Sequence, residues 1–200
     1  MVRENKRPVL IVVAGPNGSG KTSVTSQILH HQWLEDSVYI NPDMVAQDVF
    51  GDWNSSEAVM QAAQYCEDWR EKCLAERQSL IFETVLSGDD KVDYIERAVE
   101  AGFFVRLFFV CTISPAINAA RIANRVMKGG HDVPIHKIVS RYQKSLSNCK
   151  YLIDVVDRVY LYDNSIENAD ARIVSRFADC GAFGKQYVDV LPRWAQYICD

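Results

Sequence analysis

The sequence predicts an α/β fold with a mostly parallel central sheet flanked by helices, as a single domain over residues 1–200. Three observations carry this. Short apolar runs alternate with helix-period stretches along the chain. The first run, Val9-Leu10-Ile11-Val12-Val13-Ala14, leads straight into the glycine-rich loop Gly15-Pro16-Asn17-Gly18-Ser19-Gly20-Lys21-Thr22. A chain of 200 residues with 48% hydrophobic content is also large enough to fill one core.

The expected strands are Val9–Ala14, Val38–Ile40, Leu80–Phe82, Phe103–Cys111 and Arg158–Tyr162. Their expected spatial order is second, third, first, fourth, fifth. The expected helices are Lys21–His31, Ser56–Arg77, Lys91–Ala101, Pro115–Met127, Pro134–Asn148 and Pro192–Cys199. Ser114 before Pro115 makes a good helix start, a capping hydroxyl followed by proline in the first turn. Gly129-Gly130 ends that helix. Ile135, Ile138, Val139, Tyr142 and Leu146 form one apolar stripe on the next. Residues 164–191 lack a clear period, and a short helix and a hairpin are expected there.

Composition excludes several classes. No apolar run reaches membrane-spanning length. The six cysteines show no C-x-x-C spacing, and Cys66 and Cys73 fall on one helix face, which reads as core packing in a reducing compartment. Residues 1–7 carry no signal-like apolar stretch, so a cytoplasmic location is expected. A net charge of −4 argues against bulk nucleic-acid binding. The charge is uneven, however. Between residues 121 and 150 seven basic residues face Asp132 alone. Such a run is either a solvated basic face or a clamp on a polyphosphate.

The glycine-rich loop fits G-x-x-x-x-G-K-T after a strand, the phosphate-binding P-loop. Its glycines let backbone N–H groups turn inward toward phosphate oxygens, and the helix that follows adds the positive end of its dipole. Gly15, Pro16, Asn17, Gly18, Ser19 and Gly20 are therefore expected around the phosphates. Lys21 would reach the β- and γ-phosphates, and the Thr22 hydroxyl would ligate Mg²⁺.

In open α/β sheets ligands gather at the carboxyl ends of the strands. Asp43, in Asn41-Pro42-Asp43, is there either an ordinary turn residue or a general base with Mg²⁺ contact. Glu83 has three readings: a short Walker B acid, a contact for acceptor hydroxyls together with Thr84, or a carboxylate satisfying the Val85–Gly88 turn. Asp163 and Asn164 read as structural or adenine-side. Arg121 and Arg125, four apart, share a helix face, and Arg141 lies on the next helix. The glycine-hinged loop between these helices suits a lid over residues 121–148, with arginines as in-cis fingers or as simple surface charges. His131 is expected to hydrogen-bond within that loop. Leu86-Ser87-Gly88-Asp89-Asp90 is superficially like an ABC signature, but the run Phe103–Cys111 ends without the acid that such a protein needs.

Taken together these residues resemble the zeta toxin family of P-loop kinases over about residues 8–163. The likeness rests on Gly15–Thr22, Asn41-Pro42-Asp43, Phe82-Glu83-Thr84-Val85-Leu86-Ser87, Arg121 and Arg125 before Gly129-Gly130-His131-Asp132-Val133-Pro134, Arg141-Tyr142, and Ser145-Leu146 with Asn148. The resemblance implies ATP-dependent, Mg²⁺-assisted transfer of a γ-phosphate to the sugar of UDP-N-acetylglucosamine. It implies a toxin held inactive by a small helical antitoxin over the nucleotide site. Lys21 and Thr22 would take the phosphate and metal roles, Asp43 the base role, Glu83 and Thr84 acceptor contacts, and Arg121, Arg125 and Arg141 the clamp. On the residues alone, another acceptor (a nucleoside, an antibiotic, an RNA end) or a switch ATPase stays open.

Overall fold

A computed structural model describes residues 7–29, 37–50, 56–130 and 132–200. In chain order the elements are β1 (Val9–Ala14), α1 (Lys21–Ile28), β2 (Val38–Ile40), α2 (Pro42–Asp48), α3 (Ser56–Ala75), β3 (Leu80–Thr84) and α4 (Asp89–Glu100). Then follow β4 (Phe104–Cys111), α5 (Pro115–Met127), α6 (Ile135–Leu152), β5 (Arg158–Asp163), β6 (Arg172–Ala178), β7 (Phe183–Gln186) and α7 (Arg193–Cys199). One sheet of seven strands runs β2-β3-β1-β4-β5-β6-β7. Its first five strands are parallel and stand in the expected order; β6 and β7 extend it antiparallel.

Burial explains the strand patterns. β1 and β4 sit mid-sheet with helices on both sides, so they read as unbroken apolar runs and are almost wholly buried. β5 alternates buried and half-buried residues, because cover thins toward the antiparallel end. The larger core cluster lies on one face, where Leu10, Val12, Phe82, Leu107, Phe109 and Leu161 meet residues of α3, α4, α6 and α7. The smaller cluster, Ile11, Val13, Ile81, Phe108 and Val110, lies under Val24 and Ile28 of α1. Each large side chain buried here contributes roughly 1.5–3 kcal/mol of transfer free energy. Cys66 and Cys73 are buried in the larger cluster, and all six cysteines are free thiols.

Several expectations need correction. Asn41-Pro42-Asp43 is a helix start and not a turn: the Asn41 side chain accepts from the Asp43 N–H at 2.9 Å, with Pro42 in the first turn of α2. The sequence carries the same signal at Ser114-Pro115, where the Ser114 side chain caps α5. Between residues 164 and 191 there is the hairpin β6–β7 but no helix. β3 and β5 run on through Thr84 and Asp163, so Glu83, Thr84 and Asp163 are the last residues of strands and not loop residues after them. α1 runs to Ile28 with Leu29 as its C-cap, so the expected helix stops short there; residues 30 and 31 of its expected span lie outside the described residues, as does His131.

Candidate active site

The P-loop closes over the end of β1. Gly15, Gly18 and Gly20 have φ of 147°, 77° and 89°. The space beside them is filled as well: a side chain at Gly18 would strike the Asn118 backbone at 2.6 Å, and one at Gly20 the Asn164 amide at 2.2 Å. Both conformation and close approach therefore require glycine. Two amides brace the loop from outside. Asn118, fully buried on α5, donates to the Asn17 carbonyl at 2.7 Å. Asn164, just past β5, donates to the Ser19 carbonyl at 2.8 Å. Buried Asp163 takes hydrogen bonds from Ser165 at 2.5 Å and Trp194 at 3.4 Å, and pairs with Arg172.

Lys21 folds back on its own loop, donating to the Gly15 and Pro16 carbonyls at 3.0 and 3.3 Å. Burial lowers its pKa to about 8; Arg125 adds to the drop and Glu83 opposes it. Thr22 Oγ1 donates to Glu83 Oε2 at 3.1 Å, and Tyr39 donates to Glu83 Oε1 at 2.9 Å. Glu83 thus faces α1 and β2. The turn after β3 is held instead by the Thr84 hydroxyl, which accepts from Leu86 N at 3.0 Å. The turn-satisfying reading of Glu83 is thereby overturned. From the other side α6 secures the same turn: Ser145 donates to the Val85 carbonyl at 2.5 Å and Asn148 to Leu86 at 3.0 Å.

Three clefts meet above the sheet. One, of about 330 Å³, is lined by Gly18, Gly20, Lys21, Thr22, Asp43, Glu83, Arg121, Ile122 and Arg125. A larger one, of about 510 Å³, shares Asp43, Arg121 and Arg125 with it and adds Asn124, Lys128, Gly130 and Glu167. A third, of about 360 Å³, lies toward α1 and residues 164–171 and includes Ser23, Gln27, Arg121, Asn164 and Asp170. Arg121 borders all three, and its guanidinium donates to the Ile166 carbonyl at 3.4 Å. Arg141 lines none of them. It reaches the P-loop from α6, donating to Asn17 Oδ1 at 3.3 Å. At the end of α5, Gly129 takes φ of 87° with open space beside it.

The site therefore brings together Lys21, Thr22, Asp43, Glu83, Arg121 and Arg125, and sets Arg141 and Thr84 one layer back. Sequence reasoning missed Asn118 and Tyr39. A buried asparagine on an otherwise amphipathic helix was the available signal for the first, and no local signal marks the second.

Comparison with known proteins fits this arrangement. The family model described as Zeta toxin matches residues 1–172. An uncharacterized protein of Haemophilus influenzae is 29% identical over 143 residues, which cover 70% of this chain and 95% of that one. Among solved structures, one from the PezAT chromosomal toxin–antitoxin system of Streptococcus pneumoniae is similar in fold, with a TM-score of 0.60, 19% identity, and 81% of this chain matching 70% of that one. The complex of AvrRxo1-ORF1 with AvrRxo1-ORF2, solved with ATP, gives 0.63 at 19% identity, with 89% of this chain matching 62% of that one. The strand order, the P-loop and a family match over most of its length give one conclusion: the chain belongs to the zeta toxin family and is a P-loop kinase.

Proposed function

We propose that the protein transfers the γ-phosphoryl group of ATP to a hydroxyl of UDP-N-acetylglucosamine, as the toxin of a toxin–antitoxin pair. One observation carries the reading: Asp43, Arg121 and Arg125 form a common wall between the P-loop cleft and the larger cleft beside it. A group transferred from the first to the second passes those three side chains.

In this reading the β- and γ-phosphates lie on Gly18, Gly20 and Lys21, and the nucleoside lies toward Ser23, Gln27 and Asn164. Lys21 leaves the two carbonyls it now holds and turns to the phosphates; contact with an anion restores the charge that burial disfavours. The acceptor fills the larger cleft. Asp43 takes the proton of its attacking hydroxyl as the oxygen bonds to phosphorus and the bond to the ADP oxygen breaks. Arg121 and Arg125 stabilise the charge that develops on the transferred group. Arg141 holds Asn17 and with it the loop. The lid is the exposed end of α5 past Ile122, hinged at Gly129, while α6 from Tyr142 on stays packed in the core. Thr84 serves the acceptor side from one layer back, by holding the turn after β3.

Mg²⁺ suits the donors present. Thr22 and Glu83 meet at 3.1 Å, Asp43 lines the same cleft, and all three offer hard oxygens. Mg²⁺ takes few protein oxygens and completes its shell with phosphates and water. Thr22 and Asp43 would hold it, with Glu83 behind, and it would supply positive charge against the phosphates.

A small helical antitoxin covering the nucleotide cleft is the proposed partner. Free thiols throughout fit a reducing cytoplasm, and no helix among the described residues is long and apolar enough to cross a membrane. The test is mass spectrometry of UDP-N-acetylglucosamine after incubation with ATP, Mg²⁺ and the protein. A single added phosphate, absent with Lys21→Ala, is the expected product. If that sugar nucleotide stays unchanged while a bacterial metabolite extract yields another phosphorylated species, the acceptor assignment is wrong and the kinase stands. Growth arrest on expression in a bacterial host, relieved by Lys21→Ala, is the expected sign of toxicity.

A further inference from the structure

A continuous chain of hydrogen bonds joins the Glu83 carboxylate to the backbone N–H of Asp43 from behind. Thr22 Oγ1 donates to Glu83 Oε2 at 3.1 Å, and Tyr39 Oη donates to Glu83 Oε1 at 2.9 Å. Asn41 Nδ2 donates to Tyr39 Oη at 2.8 Å, and Asn41 Oδ1 accepts from Asp43 N at 2.9 Å. The Asp43 N–H can only donate, so it fixes which end of the Asn41 amide faces it. The amide nitrogen then faces Tyr39 and can only donate to it. The single Tyr39 proton is left for Glu83. Every bond in the chain therefore has one possible direction.

That direction matters for the oxygen atoms in the cleft. Glu83 receives a hydroxyl donor on each carboxylate oxygen, and the Thr22 proton is committed to one of them. The Thr22 lone pairs remain for a cation. At the other end, the amide that orients Tyr39 also caps α2, the helix that carries Asp43. The Tyr39 ring packs against the smaller core cluster, so its hydroxyl can be removed without removing its packing.

We infer that Tyr39 and Asn41 are positioning residues, which couple the Thr22–Glu83 pair to the Asp43-bearing end of α2. This rests on the phosphotransfer reading above. Neither residue touches the reacting atoms; both act through Glu83 and Asp43.

Two variants test this. Tyr39→Phe keeps the ring and deletes the hydroxyl. Asn41→Asp keeps the cap acceptor but replaces the amide donor with a carboxylate that draws the Tyr39 proton away from Glu83. The first readout is Mn²⁺ affinity, followed by electron paramagnetic resonance in the presence of a non-hydrolysable ATP analogue, which involves no turnover. Both variants should bind Mn²⁺ about 10-fold or more weakly, the scale typical of lost outer-shell partners. The second is steady-state kinetics, with kcat lowered about 10-fold or more and the acceptor KM within about twofold. Wild-type Mn²⁺ affinity in Tyr39→Phe overturns the inference, as does a loss of activity that follows a fall in Tm with metal affinity intact. Lys21→Ala run alongside separates the two levels. If it is inactive while Tyr39→Phe and Asn41→Asp match the wild type, only this inference fails; if it turns over normally, the phosphotransfer reading fails and takes this inference with it.

Discussion

The P-loop and the arginine rim face each other across one cleft and are built in opposite ways. The loop is assembled beforehand. Its glycines are packed against Asn118 and Asn164, its carbonyls at Asn17 and Ser19 are occupied, and Ser19 is fully buried. The rim stands nearer to solvent. Arg125 is exposed, and Arg121 is half-buried with a hydrogen bond of 3.4 Å. A site that must grip phosphate in the ground state gains from rigidity, because ordering is then complete before the ligand arrives. A site that answers charge developing during transfer can be completed by closure. On the proposed reading, binding falls to one wall and rate to the other.

The largest expected effect comes from removing the charge of the rigid wall. Lys21→Ala should abolish turnover and also weaken ATP binding, since its charge-assisted contacts act in ground and transition states alike. Calorimetric titration with an ATP analogue, alongside turnover, checks both halves. The rim should behave differently. Of Arg121→Ala and Arg125→Ala on the rim and Arg141→Ala behind the P-loop, at least one should lower turnover about 10³-fold or more with little change in ATP affinity. Arg121, which borders all three clefts, is the strongest candidate. Lysine should rescue poorly wherever the contact is bidentate. If all three alanine variants turn over normally, the basic segment is only a solvated face and the comparison breaks.

Asp43→Asn sits between the walls. It should keep nucleotide affinity and lower turnover about 10²–10⁴-fold, the scale of a lost general base. Asn118→Ala sharpens the comparison from the structural side. Leaving the Asn17 carbonyl without its buried partner should cost about 1–3 kcal/mol of stability and loosen ATP binding, read by denaturant unfolding and by calorimetry.

The smallest effect is protonic. Lys21, with its pKa lowered to about 8, releases its proton in the free protein between pH 8 and the ordinary value of 10.5. Phosphate contact favours the charged form, so nucleotide binding near pH 9 should take up a proton, and affinity should fall as pH rises above about 8. Calorimetry in buffers of different ionisation enthalpy reads the uptake. For folding the sign is opposite: the unfolded chain binds the extra proton in that window, so this group makes stability rise with pH there.

The same contrast explains what could be read from the sequence. The rigid wall announces itself locally, since a strand, a loop with three glycines and Lys21-Thr22 are consecutive, and the parallel run of the first five strands follows from apolar runs joined by crossover helices. The braces do not. Asn118 and Asn164 meet the loop from 101 and 145 residues away, so only folding shows their purpose. Tyr39 looks like an ordinary aromatic in a three-residue strand. The helix α2 was hidden because Asn-Pro-Asp signals both a turn and a capped helix start, and only the following Val45 and Ala46, buried against their surroundings, decide between them. The β6–β7 hairpin has one half-covered face and one exposed strand, which leaves little hydrophobic period to detect.

The most direct measurement is the fate of the γ-phosphate. Incubated with γ-labelled ATP, Mg²⁺ and UDP-N-acetylglucosamine, the wild-type protein should move label into an organic phosphate ester faster than into inorganic phosphate. Asp43→Asn should bind the same nucleotide and form that ester about 10²–10⁴-fold more slowly. Label that appears only as inorganic phosphate, with UDP-N-acetylglucosamine or with a whole metabolite extract and at equal rates in both proteins, would contradict the account.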